Sequence, residues 1–166
     1  MRKLISDDLT SADKEKVDDF QATIQRHLAR YEFRSFQPNE IHLSRDNFRP
    51  LIYTREEGEI VEKEITFEVS ASDGIRLKWA YYLSMLSLSK RKATKHCGLV
   101  IFDEPGQQEI QASSLHALLV WAAQNLATNQ QVIVATSEPI ESLNRVLSGR
   151  AAKLISFDGF ILQPIA

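Results

Sequence analysis

The last third of the chain alternates short apolar runs with a helical segment, and this alternation limits the fold more than any other feature. Residues 98–102 and 131–135 are apolar runs of the length expected of buried strands, and residues 111–126 between them are typical of a helix. Parallel strands need a long crossover connection, usually a helix. The order strand, helix, strand therefore predicts an α/β fold in which parallel core strands are flanked by helices.

The N-terminal region predicts one amphipathic helix over residues 11–31. Thr10 and Ser11 are suitable N-terminal caps, and Asp13 lies in the first turn. Apolar side chains recur at steps of three and four residues: Val17, Phe20, Ile24, Leu28 and Tyr31. This spacing favours a helix that faces the core of the domain. The returning end of a coiled coil is the alternative interpretation.

Residues 33–69 predict mainly antiparallel strands, at 41–43, 50–53 and 60–69. Glu57 and Gly58 supply a turn between the last two strands. At the end of this block, apolar residues alternate with polar ones as in a half-buried strand: Ile65, Phe67 and Val69.

Two further helices are expected. Residues 74–88 are apolar over most of the helical circumference, which is typical of a buried helix. After the second apolar run, Glu138 and Pro139 open another helix with proline at its first position, and Gly149 ends it. Residues 153–157 and 160–162 flank Asp158-Gly159 and predict a C-terminal β-hairpin.

Composition limits the functional classes. The chain has 166 residues, 43% of them hydrophobic, which suits a single domain spanning residues 1–166. The formal net charge of -2 argues against nucleic-acid binding through bulk electrostatics. A single cysteine, Cys97, excludes an internal disulfide. With no apolar stretch long enough to cross a membrane and no secretory signal, we expect a cytoplasmic protein without membrane contact.

The first apolar run ends in two carboxylates followed by a proline: Asp103, Glu104 and Pro105. Open α/β sheets bind their ligands at the carboxyl ends of their strands. Asp103 can there position Mg²⁺ through its coordinated waters, and Glu104 can orient or deprotonate an attacking water. Many strands simply end in solvated acids, so this pattern alone leaves a structural interpretation open.

Two other polar segments make the catalytic interpretation more specific. Residues 70–73 are small and polar and open the buried helix, an arrangement that presents backbone N–H groups and a hydroxyl to a phosphate. They also suit a plain helix cap. The second apolar run ends in Thr136, Ser137 and Glu138, which places polar groups at another strand end.

Over residues 65–164 the order of these segments resembles the C-terminal half of ATP-binding-cassette ATPases, in the branch of SMC and double-strand-break-repair ATPases. The stretch at 31–50 is similar to bacterial coiled-coil ATPases of that branch. The resemblance implies a signature motif in which Ser70 contacts the γ-phosphate across an ATP-sandwiched head dimer. The residues of that motif here are Ser70, Ala71, Ser72 and Asp73.

The resemblance also implies a Walker B motif, with Asp103 on Mg²⁺ and Glu104 as the catalytic base. The loop at 106–109, which contains Gln107 and Gln108, falls at the D-loop, and Ser137 falls at the switch position. This chain departs from the family where Ala71 and Ser72 replace glycines, where Ser137 replaces a frequent histidine, and in the residues of the D-loop.

The sequence contains no G-x-x-x-x-G-K-[ST] loop, whose backbone and lysine would hold the β- and γ-phosphates of ATP. In the family this Walker A loop belongs to an N-terminal lobe, so the resemblance implies a partner lobe carried elsewhere. The implied activity is Mg²⁺-dependent ATP hydrolysis in DNA repair, maintenance or defence, with DNA contacted through the complex. Two alternatives are a non-hydrolysing module that docks on a complete ATPase and a nuclease that uses the two carboxylates on metal ions.

Overall fold

A computed structural model describes residues 9–106 and 110–157. This part of the chain is a mixed α/β structure with four helices, a three-stranded antiparallel sheet and a two-stranded parallel sheet. The helices are α1 (Ser11–Arg30), α2 (Ala71–Arg91), α3 (Ala112–Asn125) and α4 (Ile140–Leu147). The strands are β1 (His42–Leu43), β2 (Pro50–Glu56), β3 (Glu59–Glu64), β4 (Leu99–Asp103) and β5 (Gln131–Ala135).

Helix α1 begins and packs as its sequence predicts. Thr10 is the N-cap, and its hydroxyl accepts a hydrogen bond from the backbone N–H of Asp13, 3.2 Å away, in a capping box. The apolar stripe is buried against α2, with Phe20, Ile24 and Leu28 in the core. The stripe therefore serves the core of this domain, as the first of the two interpretations predicts.

The antiparallel sheet has the order β1-β2-β3. Glu57 and Gly58 form the predicted turn, and both have positive φ angles, of 48° and 90°. The predicted strand over residues 60–69 is wrong beyond Glu64. Residues Ile65–Phe67 form a 3-10 turn in which Ile65 is fully buried and Phe67 is 84% exposed. The alternation at 65–69 therefore belongs to a chain that turns toward α2 rather than to a strand.

The parallel pair is formed by β4 and β5, in a register that sets Asp103 opposite Ala135. Val100 and Phe102 on β4 point into the core, while Leu99 and Ile101, on the opposite face, are 39% and 61% exposed. Ile133 on β5 is 43% exposed on the same face. One face of the parallel sheet is thus uncovered in the described part of the chain and carries three large apolar side chains.

The C-terminal region differs from its prediction in two ways. Helix α4 begins at Ile140, with Pro139 as N-cap instead of first helical residue, and Gly149 follows it with a φ of 69°. Residues 153–157 form no strand, and the side chains of Leu154, Ile155 and Phe157 are exposed. The first arm of the predicted hairpin is therefore wrong. Its turn and its second arm lie outside the described residues.

An aromatic cluster joins α1, α2 and α3 in the core. The imidazole of His27 stacks on Tyr31 and meets Trp121 edge-on, at ring distances of 5.4 and 4.7 Å, and Tyr31 meets Trp79 edge-on at 5.8 Å. All four side chains are buried. None of the helices in the described residues combines the length and the apolar character that a membrane crossing requires.

His27 is a buried titratable group. Burial, with repulsion from Arg30 and Arg26, lowers the pKa of His27 from its ordinary 6.5 to about 3. Burial also raises the pKa of Tyr31, so its hydroxyl stays protonated and can donate to His27 Nδ1, 2.9 Å away. The folded protein therefore holds His27 neutral at pH values where the unfolded chain protonates it.

The position of His27 predicts a loss of stability in mild acid. Between pH 6.5 and about 3 the unfolded chain binds one more proton at this site, so the free energy of unfolding decreases as the pH falls. The expected slope is up to about 1.4 kcal/mol per pH unit. Urea denaturation at several pH values should show this slope in the native chain and lose it in His27→Gln. A His42→Gln control should retain it, and equal slopes in all three proteins would contradict the prediction.

Candidate functional site

The predicted catalytic residues lie together at the carboxyl end of the parallel pair. The backbone N–H of Glu104 donates to the carbonyl oxygen of Ala135 at 2.8 Å, which extends the pairing of β4 and β5 by one residue. Glu104 has a φ of 45°, in the left-handed region that residues other than glycine rarely adopt. Its carboxylate oxygen Oε2 accepts a hydrogen bond from the Ser137 hydroxyl at 3.1 Å. The two predicted residues are therefore in direct contact.

Asp103 lies on the exposed face of the sheet, next to this contact. Its carboxylate makes no recorded hydrogen bond or ion pair within residues 9–106 and 110–157, and is open to solvent. No cluster of three His, Cys, Asp or Glu side chains in those residues could hold a metal ion by itself. Mg²⁺, however, keeps several waters and binds through one or two carboxylates together with substrate phosphates. The single carboxylate of Asp103 fits that manner of binding.

Glu138 and Gly106 also belong to this strand end. The backbone N–H of Glu138 donates to the Thr136 hydroxyl at 3.2 Å, which forms a tight turn directly after β5. A Cβ added at Gly106 would lie 3.2 Å from a methyl group of Leu115 and 3.6 Å from a carboxylate oxygen of Glu138. The loop after β4 therefore passes close to the loop after β5. Gln107 and Gln108, the predicted D-loop residues, lie outside the described residues.

The predicted signature residues open helix α2. Ser70 is the N-cap, and its hydroxyl accepts from the backbone N–H of Asp73 at 3.2 Å and lies 3.4 Å from the Ser72 hydroxyl. Ser70 and Ala71 are exposed. The backbone N–H groups of Ala71 and Ser72 have no acceptor in the described residues, as expected for the first turn of a helix. This helix end can donate to an anion.

Asp73 has a different environment from its neighbours. Its side chain is 3% exposed, and oxygen Oδ2 accepts from the backbone N–H groups of Arg34 and Ser35 at 3.0 and 2.7 Å. The Ser35 hydroxyl also donates to this oxygen at 2.7 Å. Burial alone would raise the pKa of Asp73, but these hydrogen bonds hold it below its ordinary value. The carboxylate of Asp73 is therefore directed into the protein.

The second carboxylate oxygen of Asp73 binds Arg76, one helical turn away. Arg76 Nη1 donates to Oδ1 at 2.8 Å, and both side chains are nearly inaccessible to solvent. Arg76 Nε also donates to the Ser114 hydroxyl on α3 at 3.2 Å, and that hydroxyl donates to the carbonyl oxygen of Tyr31 at 2.8 Å. These contacts join the end of α1, the start of α2 and the start of α3. We call this set the Asp73 network.

Sequence reasoning missed the structural role of the Asp73 network. The spacing of three residues between Asp73 and Arg76 on a helix is a signal for an ion pair, and an arginine in an otherwise apolar segment is another. Ser35 and Ser114 had no comparable signal, because their roles depend on contacts between distant parts of the chain.

The two predicted groups form separate sites. Among the described residues, no hydrogen bond joins residues 70–73 to the strand ends that carry Asp103, Glu104 and Ser137. A comparison with protein-family models gave no match, and a search of curated proteins found no similar sequence.

The Asp73 network predicts a large loss of stability when its cation is removed. Arg76→Met leaves the buried Asp73 carboxylate without its ion-pair partner, so the free energy of unfolding should fall by about 3–5 kcal/mol. Arg49 provides a matched control, because its guanidinium pairs with Glu64 at the surface. Arg49→Met should cost less than about 1 kcal/mol. Urea denaturation of the variants measures both values, and similar losses at the two positions would contradict the prediction.

Proposed function

We propose that this chain is the C-terminal lobe of an SMC-like ATPase head, which completes an ATPase together with an N-terminal lobe that carries the Walker A loop. The observation that carries the proposal is the contact between Glu104 and Ser137 at the end of the parallel strands. Such a head needs its catalytic base and its switch residue within reach of the same γ-phosphate. Residues separated by 33 positions in the sequence meet here at 3.1 Å.

The uncovered sheet face supports the requirement for a partner lobe. Parallel sheets occur almost only with both faces covered. Among the described residues the parallel sheet has two strands, and Leu99, Ile101 and Ile133 are exposed on one face. An N-terminal lobe would extend the sheet at its edge with further parallel strands, and its helices would cover these side chains. The fold of the completed head would then be that of a P-loop NTPase, with this chain supplying its second half.

Each of the proposed site residues would have a separate role in ATP hydrolysis. Bound Mg²⁺ would neutralise phosphate charge, and Asp103 would hold it through water. Glu104 would orient and deprotonate the attacking water, and its hydrogen bond to Ser137 would fix the direction of the carboxylate. The proposed Ser70 contact would act on the ATP of a second head, through its hydroxyl and the free N–H groups that follow it. The substrate is ATP and the products are ADP and phosphate.

The cellular role follows from the same proposal. Two such heads closing on ATP and opening after hydrolysis would drive a DNA-maintenance machine in the cytoplasm that serves repair, chromosome organisation or defence. DNA would be contacted by the complex, because this chain has a net charge of -2 and lacks a basic character of its own.

Replacing the proposed base should abolish turnover without disturbing assembly. The chain is mixed with the Walker A lobe that is encoded nearest to its own gene. In this mixture Glu104→Gln should reduce Mg²⁺-dependent ATP turnover by at least about a hundredfold, since it removes the proton acceptor. Glu59→Gln, on the exposed β2–β3 hairpin, is the matched control and should leave turnover unchanged. Phosphate release measures the rate. Equal rates in the two variants would show that Glu104 is not the base.

A substitution on the exposed face of the parallel sheet tests assembly separately from turnover. Ile101→Asp places a charge on the exposed apolar face and should abolish co-purification with the N-terminal lobe, because an unpaired charge would be buried at the interface. Ile60→Asp, at an isoleucine of the hairpin that is also largely exposed, should leave co-purification intact. Retention of the complex by the Ile101 variant would contradict the proposed interface.

A second candidate function is docking on a complete ATPase without hydrolysis. The burial of Asp73 favours it, because that burial withdraws a polar side chain from the signature position. Under this candidate function, Glu104→Gln would leave both the complex and its ATP turnover unchanged, so the experiment above distinguishes the two.

A further inference from the structure

A group of arginines lies between α1 and α2, away from the strand ends and from the start of α2. The Thr23 hydroxyl accepts a hydrogen bond from Arg26 at 2.8 Å and another from Arg91 at 3.1 Å, while it donates to the carbonyl oxygen of Asp19 at 2.7 Å. Two guanidinium groups are therefore held around one neutral oxygen. A third arginine, Arg30, lines the same small cleft as Arg26.

Nearby acids leave most of this positive charge uncompensated. Arg91 approaches Asp19 at 3.9 Å, and Asp19 also faces Lys92 at 3.7 Å. Within residues 9–106 and 110–157, neither Arg26 nor Arg30 forms an ion pair with a carboxylate. All three arginines are exposed, so solvent screens their mutual repulsion, and a bound anion would add a direct counter-charge.

The cleft has the size and lining of a site for one oxyanion. Its volume is about 110 Å³, and its lining includes Thr23, Ser87, Arg26 and Arg30, whereas Arg91 donates to the Thr23 hydroxyl from beside the cleft. A water molecule occupies about 30 Å³ in the liquid, so the cleft has room for a tetrahedral anion or a few waters. Trp121 and His27, which burial keeps neutral, complete its lining. No carboxylate lines the cleft in the described residues.

We propose that Arg26, Arg30 and Arg91 form a binding site for a single phosphate group, either free phosphate or the terminal phosphate of a small molecule. Arginine is suited to this ligand, because its planar guanidinium donates two parallel hydrogen bonds to phosphate oxygens. An isolated phosphate fits the observations better than a nucleic-acid backbone does. Lys92 is already paired with Glu15 at 2.6 Å, and Lys90 donates to the Asn125 carbonyl, so the basic surface does not continue along α2.

Direct binding measurements on the full 166-residue chain test the site. Isothermal titration with inorganic phosphate, at constant ionic strength in chloride, should give saturable one-site binding. Arg26→Gln should weaken it by at least about tenfold, because it removes a charge-assisted contact. Arg55→Gln, which removes an exposed arginine from β2, is the matched control and should leave affinity unchanged. Equal affinity in the Arg26 variant, or no saturable binding to the native chain, would overturn the proposal.

Further measurements distinguish loss of the site from a folding defect and from a diffuse electrostatic effect. Phosphate should raise the melting temperature of the native chain and of Arg55→Gln but not that of the double variant Arg26→Gln/Arg30→Gln. A 5′-phosphorylated nucleoside should compete with free phosphate, and its unphosphorylated form should not. If an unphosphorylated DNA duplex competes as well as phosphate does, the surface recognises nucleic acid and the single-phosphate site is wrong.

Discussion

The buried ion pair between Asp73 and Arg76 is the interaction on which the arrangement of the helices depends. Each partner also contacts another part of the chain: the carboxylate accepts the N–H groups after α1, and the guanidinium reaches Ser114 on α3. A charge inside a protein is tolerated only when its hydrogen-bonding groups are satisfied. This requirement fixes where α2 begins, and with it the direction in which Ser70 and the first N–H groups point.

The parallel pair depends on that helical frame. Its inner side chains, such as Val100 and Phe102, are buried in the core that α2 and α3 help to form, and its carboxyl end presents Asp103 and Glu104. The left-handed conformation of Glu104 costs of order 1–3 kcal/mol, and such strain is found most often at functional sites. The helices thus support the carboxyl end of β4, whereas no described residue covers the opposite face of the sheet.

Local patterns in the sequence predict much of this structure. Helix α1, its Thr10 cap, the parallel strands and the Glu57-Gly58 turn all depend on periodicity or on turn chemistry that neighbouring residues determine. The errors occur where distant contacts decide. Residues 65–69 alternate like a strand but form a 3-10 turn in which Ile65 is fully buried, and residues 153–157 form no strand. The burial of Asp73 likewise depends on Ser35, which lies 38 residues away in the sequence and gives no local signal.

The open face of the parallel sheet has a consequence for the protein in the cell. Exposed isoleucines beside unpaired strand edges are the surface that chaperones retain and that quality-control proteases degrade. A chain without a bound partner on this face would expose Ile101 and Ile133 to that machinery from the moment of its synthesis. Under the proposed assembly, its abundance would then follow the supply of the N-terminal lobe, so turnover would maintain the stoichiometry of the complex without matched expression.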